Sequence, residues 1–225
     1  TWVDADTLFE SLEKAMKECE DLYFISTGGE ISGLDNKTFA RFKKRIEESQ
    51  FKDRFKFLGW VETKEIPSIY KSVHIGINVD LDCTETRTGA RNRINEMIKF
   101  AVPVVTTAGS EISYEVARAK VGITVKSGDS DSIAEAMTRL RNSWKEKPGA
   151  FRAFKLNAEK YAKEDLAYDN LMVPLVKWLE NPLPAPDRGV KVSTGKSGLI
   201  RAAFNYLKAN GMKKSLKKFL AKLHF

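Results

Sequence analysis

Short, continuous apolar runs alternate with helix-period segments along most of this chain, and that order leaves few folds open. The apolar runs are Leu22–Ile25, Phe55–Leu58, Val73–Val79, Val102–Thr106 and Val121–Val125. Between them lie stretches with apolar residues three and four apart, such as Leu8, Phe9, Leu12, Ala15 and Met16 behind a candidate N-cap at Asp6. Further helices are expected around Phe39–Ile46, Ile66–Lys71, Arg91–Phe100, Ser113–Ala119, Ile133–Leu140, Ala150–Tyr161 and Tyr168–Leu179. Strands that are apolar on both sides belong in a parallel sheet covered on both faces. The expected fold class is therefore α/β: a Rossmann-like, doubly wound parallel sheet followed by a C-terminal helical extension. The chain opens on a helix with no strand before it, so a first strand and a preceding domain are expected upstream.

In such a sheet, ligands sit outside the carboxyl ends of the strands. Those ends are Thr27-Gly28-Gly29, Gly59-Trp60-Val61, the polar loop Asp80–Ala90 and Thr106-Thr107-Ala108-Gly109. The densest polar stretch, Glu85 to Glu96, joins a strand end to a helix start. Free N–H groups and the positive end of the helix dipole favour an anion there. Arg87, Arg91 and Arg93 add donors shaped for phosphate. The alternative is that these arginines are solvated or pair with Asp82, Glu85 or Glu96. The two histidines, His74 and His224, are isolated, and a structural role is expected for His74 within its apolar run. No metal-ligand spacing is present, so no metal and no cofactor are expected. Cys19 and Cys83 are far apart, which suits a reduced, cytoplasmic protein.

Charge divides the chain sharply. Residues 187–225 carry ten Lys or Arg and one Asp, or +9, against +8 for the whole, which leaves residues 1–186 at −1. Pro182, Pro184 and Pro186 precede this tail. The organisation expected is a domain over 1–181, a linker over 182–196 and a basic amphipathic tail over 197–225. A helix is expected from Ser197 to about Ala209, and a last one with Leu216, Phe219, Leu220 and Leu223 opposite its lysines. That pattern suits the surface of an anionic membrane, with packing on the protein as the alternative. Nucleic acid is the least expected partner, since the tail offers no exposed aromatic series. No run approaches the roughly 18 apolar residues of a spanning helix.

Three segments occurring in order, FKFLGWVETKEIPSIYKSVHIGINV, RNRINEMIKFAVPVVTTAGSEISYEV and VGITVKSGDSDSIAEAM, resemble the C-terminal domain of GT-B retaining glycosyltransferases of the glycogen-synthase and mannosyltransferase type. The resemblance runs from about Asp6 to Leu179. It implies a hexosyltransferase whose donor is a nucleoside-diphosphate sugar, UDP- or GDP-linked, bound by this domain. Glu96 takes the position that hydrogen-bonds the ribose hydroxyls, and Gly59, Trp60 and Val61 the position near the base. Arg87, Thr88, Arg91, Arg93, Thr107 and Gly109 complete the expected donor site, with Arg91 and Arg93 on the diphosphate. Where the family usually has a second glutamate, eight residues before the ribose glutamate, this chain has Thr88. The nearest acid, Glu85, is then expected beside the donor sugar, and Glu85, Arg91 and Arg93 are the expected catalytic residues. The family's basic pair near the first strand has no counterpart here. Since the acceptor is bound mostly by the N-terminal domain, this chain alone is expected to bind donor and turn over poorly or not at all. The resemblance also suits a lipid-linked acceptor at the cytoplasmic face of a membrane. Two other readings stay open: a nucleotide-sugar epimerase of the same architecture, and a non-enzymatic module whose basic tail binds membrane or nucleic acid.

Overall fold

The computed structural model describes residues 2–30, 37–186 and 188–189. Helix α1 (Ala5–Glu18) starts at Asp4, whose carboxylate accepts from the Thr7 amide at 3.1 Å and the Thr7 hydroxyl at 2.7 Å. The cap is thus two residues earlier than the sequence suggested. Asp6 instead lies in the first turn and pairs with Arg41 and Arg45. Both arginines belong to α2 (Thr38–Glu47), which follows β1 (Phe24–Thr27). Strand β2 (Phe55–Gly59) leads to α3 (Ile66–Ser72), with Pro67 in its first turn. The order continues as β3 (Gly76–Asn78), α4 (Thr84–Thr88), α5 (Asn92–Lys99), β4 (Val104–Thr107), α6 (Glu111–Arg118) and β5 (Gly122–Val125). Three longer helices close it: α7 (Ser130–Glu146), α8 (Pro148–Glu164) and α9 (Tyr168–Glu180).

Every strand pair is parallel, in two ladders: β1–β2, and β3–β4–β5. The expected α/β fold is what the chain adopts, and β4 shows why its sequence required it. All four β4 residues are buried. Val105 faces a core with Phe9, Leu12, Phe24, Phe55, Ile133 and Leu140, while Val104 faces another with Ile94, Ile98, Val116, Val121 and Ala158. Neighbouring residues on one strand point to opposite faces, so each face needs its own helical cover. Burial of each such side chain contributes about 1.5–3 kcal/mol.

Helices α5 and α6 stop the same way. Ala101 and Lys120 both adopt φ 54°, and the amides of Val102 and Val121 donate back to the carbonyls of Met97 and Val116. This is the left-handed helix ending that glycine usually serves, which turns the chain sharply into β4 and β5. Strand β3 is shorter than its apolar run suggested. His74 lies before it, exposed, with its ring 4.2 Å from that of Trp144. The expected polar loop Asp80–Ala90 contains the short helix α4.

Residues Thr1–Pro174 form one compact unit and Leu175–Phe225 another, the division falling within α9. In the second unit, the Trp178 indole donates to the Leu183 carbonyl at 3.2 Å. The helices expected from Ser197 onward, and with them the basic tail, lie outside the described residues. Among the described residues, no helix is long and apolar enough to cross a membrane.

Candidate functional site

The carboxyl end of β3 carries a buried polar cluster built around Asp80. Its carboxylate accepts from the Arg91 Nε at 2.5 Å and the Asn78 amide at 3.1 Å. Its backbone is held as firmly: the Asp80 amide donates to the Thr107 hydroxyl at 2.8 Å, and the Ser127 hydroxyl donates to the Asp80 carbonyl at 2.6 Å. Asp80 and Arg91 are only 2% and 4% exposed. One carboxylate oxygen, Oδ1, is buried without a hydrogen-bond partner among the described residues. An ion pair in so little water interacts strongly, but only while both members stay.

Arg91 does more than neutralise Asp80. It is the residue at which α5 begins, and its Nη2 donates to the Glu85 carbonyl at 3.0 Å. Its guanidinium lies 5.6 Å from the centre of the Trp2 ring. One side chain therefore ties the end of β3, the middle of α4 and the start of α5 together. Gly89 is part of the same fit. A Cβ there would lie 2.6 Å from the Glu85 carbonyl oxygen and 2.7 Å from an Arg91 nitrogen. The sequence placed Arg91 on the diphosphate and Thr107 at the donor. In the structure both side chains are committed to Asp80.

The other expected residues surround this anchor. Arg87 is exposed and clamps Asp82 with two hydrogen bonds of 2.9 and 3.0 Å, one of the solvated pairings the sequence left open. Thr88 donates its hydroxyl to the Thr84 carbonyl at 2.9 Å. Glu85 is exposed on α4. Arg93 is exposed in the first turn of α5 and makes no ion pair among the described residues. Among the described residues, no side chain caps that helix. Glu96 is half-buried one turn on, 3.8 Å from Lys99. Tyr70 lies close enough that its phenol is raised by burial first and by the Glu96 carboxylate second.

At the ends of the other strands, Gly59 turns with φ 68°, and Trp60 after it is 70% exposed. A Cβ on Gly29, after β1, would lie 3.6 Å from the Trp60 indole nitrogen, so these two strand ends are neighbours. Gly109, after β4, has φ 141° and donates its amide to Ser113. Cys83 precedes α4, and the Thr86 hydroxyl and amide hold its thiol below the usual value. Among the described residues, no group of three or more His, Cys, Asp or Glu could hold a metal ion.

Sequence reasoning missed Asp80, Asn78, Ser127 and Trp2. A carboxylate directly following an apolar strand, eleven residues before an arginine, was the signal available for the first of these.

Residues 3–143 match the family model described as glycosyl transferases group 1. None of the curated proteins matches the chain. Among solved structures, it is similar to a glycosyltransferase from Rickettsia africae ESF-5, with TM-score 0.65 and 15% identity over 79% of this chain and 44% of that one. It is similar to Anabaena HepE in complex with UDP and glucose, with TM-score 0.64 and 17% identity over 80% of this chain and 45% of that one. The C-terminal domain of a Francisella tularensis glycosyl transferase group 1 family protein, LpcC, matches with TM-score 0.57 and 16% identity over 70% of this chain and 76% of that domain. At these identities the likeness is one of fold. The chain spans less than half the length of the first two.

Proposed function

Because the chain belongs to the glycosyl transferases group 1 family, we propose that residues 1–181 are the donor-binding half of a retaining hexosyltransferase. The donor is a nucleoside-diphosphate sugar. The observation that carries this reading is the bare amino end of α5, held in place from below by the Asp80–Arg91 pair. It offers free amides, the positive end of the helix dipole and Arg93, which makes no ion pair among the described residues, a combination suited to a diphosphate. When the bond to the sugar breaks, negative charge grows on the leaving diphosphate. Fixed donors aimed there lower the barrier because they need no rearrangement.

In this reading Arg93 meets the diphosphate and Glu96 accepts from the ribose hydroxyls. Gly59, Trp60 and Val61 border the base, and Glu85 stands in for the absent glutamate at Thr88 on the sugar side. Arg87, Thr107 and Gly109 frame the site. Arg91 acts through position, its charge being matched by Asp80. The likeness in fold to a protein solved with UDP and glucose supports uridine as the base. The acceptor side belongs to a further domain, and a lipid-linked acceptor would suit a tail, 197–225, that docks on an anionic membrane from the cytoplasm.

Calorimetric titration of the chain with UDP, GDP and ADP tests this. Saturable binding of UDP is expected, weakened about tenfold or more by Glu96→Ala and by Arg93→Ala, since a hydrogen bond to a charged group is worth about 1.5–3 kcal/mol. Absence of binding to all three nucleotides, or binding that neither substitution changes, would overturn the assignment.

A further inference from the structure

A second concavity lies at the other end of the strands. It has a volume of about 450 Å³ and is bordered by His74, just before β3, and by Ala101 to Pro103, just before β4. Parallel strands begin at this end, whereas the candidate donor site lies at their carboxyl ends, with Glu96 and Tyr70 between the two. The volume falls within the range of small-molecule sites, about 300–1,000 Å³.

Its walls are aromatic. Tyr70 and Phe100 stack with ring centres 5.3 Å apart and planes 16° from parallel. Trp144 lies against His74, and Phe151, on α8, is buried beneath. The left-handed turn at Ala101 brings Phe100 and Val102 to the same rim, with Val102 buried as floor. Flat rings set in a fixed frame favour a flat partner, which stacks or meets them edge-on with little loss of side-chain freedom.

Its rim is cationic. Lys71, Arg152 and Lys155 border the cavity and are exposed, and among the described residues no acidic side chain borders it. None of the three makes an ion pair among the described residues. Elsewhere the same surface pairs its cations readily, as at Arg141 and Lys145 with Asp21. Three unmatched positive charges around an aromatic hollow raise the local concentration of anions and oppose cations.

We propose that this cavity is a second binding site, for an organic anion that carries a flat aromatic ring. The ring seats among Tyr70, Phe100 and Trp144, and its sulfonate, carboxylate or phosphate meets Arg152, Lys155 and Lys71. The site is independent of the donor assignment, although a nucleotide belongs to the same broad class of ligand.

Fluorescence titration of the whole chain with 1-anilinonaphthalene-8-sulfonate, a flat ring system with one anionic group, tests it. One saturable site is expected. The double charge reversal Arg152→Glu/Lys155→Glu should raise Kd at least about tenfold, or about 1.4 kcal/mol. Trp144→Ala should raise it similarly. The uncharged analogue N-phenyl-1-naphthylamine should bind at least about tenfold more weakly than the anion. Arg152→Glu/Lys155→Glu should leave the calorimetric affinity for UDP unchanged, which separates this site from the donor site. The two reversed residues are exposed, so the variant should keep its far-UV spectrum and Tm, and it decides the matter even if Trp144→Ala fails to fold. No saturable signal, an affinity indifferent to the charge reversal, or equal binding of the neutral analogue would each overturn the proposal.

Discussion

Converting Asp80 to Asn keeps its shape and removes its charge, which isolates what the buried pair does. Arg91 is 4% exposed and its Nε sits 2.5 Å from the carboxylate. Without that charge the buried guanidinium is left without its counter-charge. Removing one member of a buried pair costs about 3–5 kcal/mol. The unit that contains it spans Thr1–Pro174. For a unit of that size each kcal/mol moves Tm by about 2–4 °C, so Tm should fall by roughly 6–20 °C. Urea unfolding followed by far-UV circular dichroism measures the loss as a shift in midpoint at constant slope. Asp80→Leu/Arg91→Met removes both charges and should return most of the stability, because two apolar groups of matching size need no partner. The same double variant should lose nucleotide affinity, since nothing then ties α4 and the start of α5 to β3. Two results would refute the reasoning: Asp80→Asn within about 1 kcal/mol of native, or Asp80→Leu/Arg91→Met losing as much as Asp80→Leu and Arg91→Met lose together, which denies any coupling.

Gly122→Ala should be among the most damaging substitutions in the core. Its Cβ would lie 1.9 Å from the Val104 carbonyl oxygen across the β4–β5 ladder, and neither backbone can give way, so a loss at or beyond the upper end of about 1–3 kcal/mol is expected in urea unfolding. Gly89→Ala should act locally. It should displace the Glu85 carbonyl and Arg91, weaken UDP binding in calorimetry about tenfold or more, and shift Tm by much less than Asp80→Asn does. Asp21 is bonded by Lys145 and Arg141, which hold its carboxyl down at about 2, below the usual carboxylate range. A lowered folded-state pKa contributes stability that is present above the unfolded value, near 4, and is lost as pH falls towards 2. The difference in urea midpoint between the native chain and Asp21→Asn should therefore be full at pH 7, shrink from about pH 4 downward and be mostly gone by about pH 2; a difference undiminished there would contradict the pairing.

Element order, the parallel α/β class and the identity of the strand carboxyl ends were legible in the sequence. They depend on periodicity and on β-branched or aromatic runs, which are local properties. Each apolar run became a strand or ran into one, and the polar stretch from Glu85 to Glu96 did emerge at a strand end. The family resemblance, carried by three ordered segments, agrees with the family match. What the side chains do was decided by contacts far apart in the chain. The sequence offered Asp6 as the cap of α1, whereas Asp4 takes that place while Arg41 and Arg45 of α2 engage Asp6. His74 reads as a strand residue, yet it lies against Trp144, seventy positions on. Arg91 and Arg93 are indistinguishable by composition, two residues apart. The first is buried on Asp80 and the second is left in water: Arg91 precedes the helix with φ −105° and ψ 69°, and Arg93 stands in its first turn. A charge at a helix start can serve a ligand or the fold. Which it serves depends on whether the fold buries a counter-charge within reach, and only the packed chain decides that.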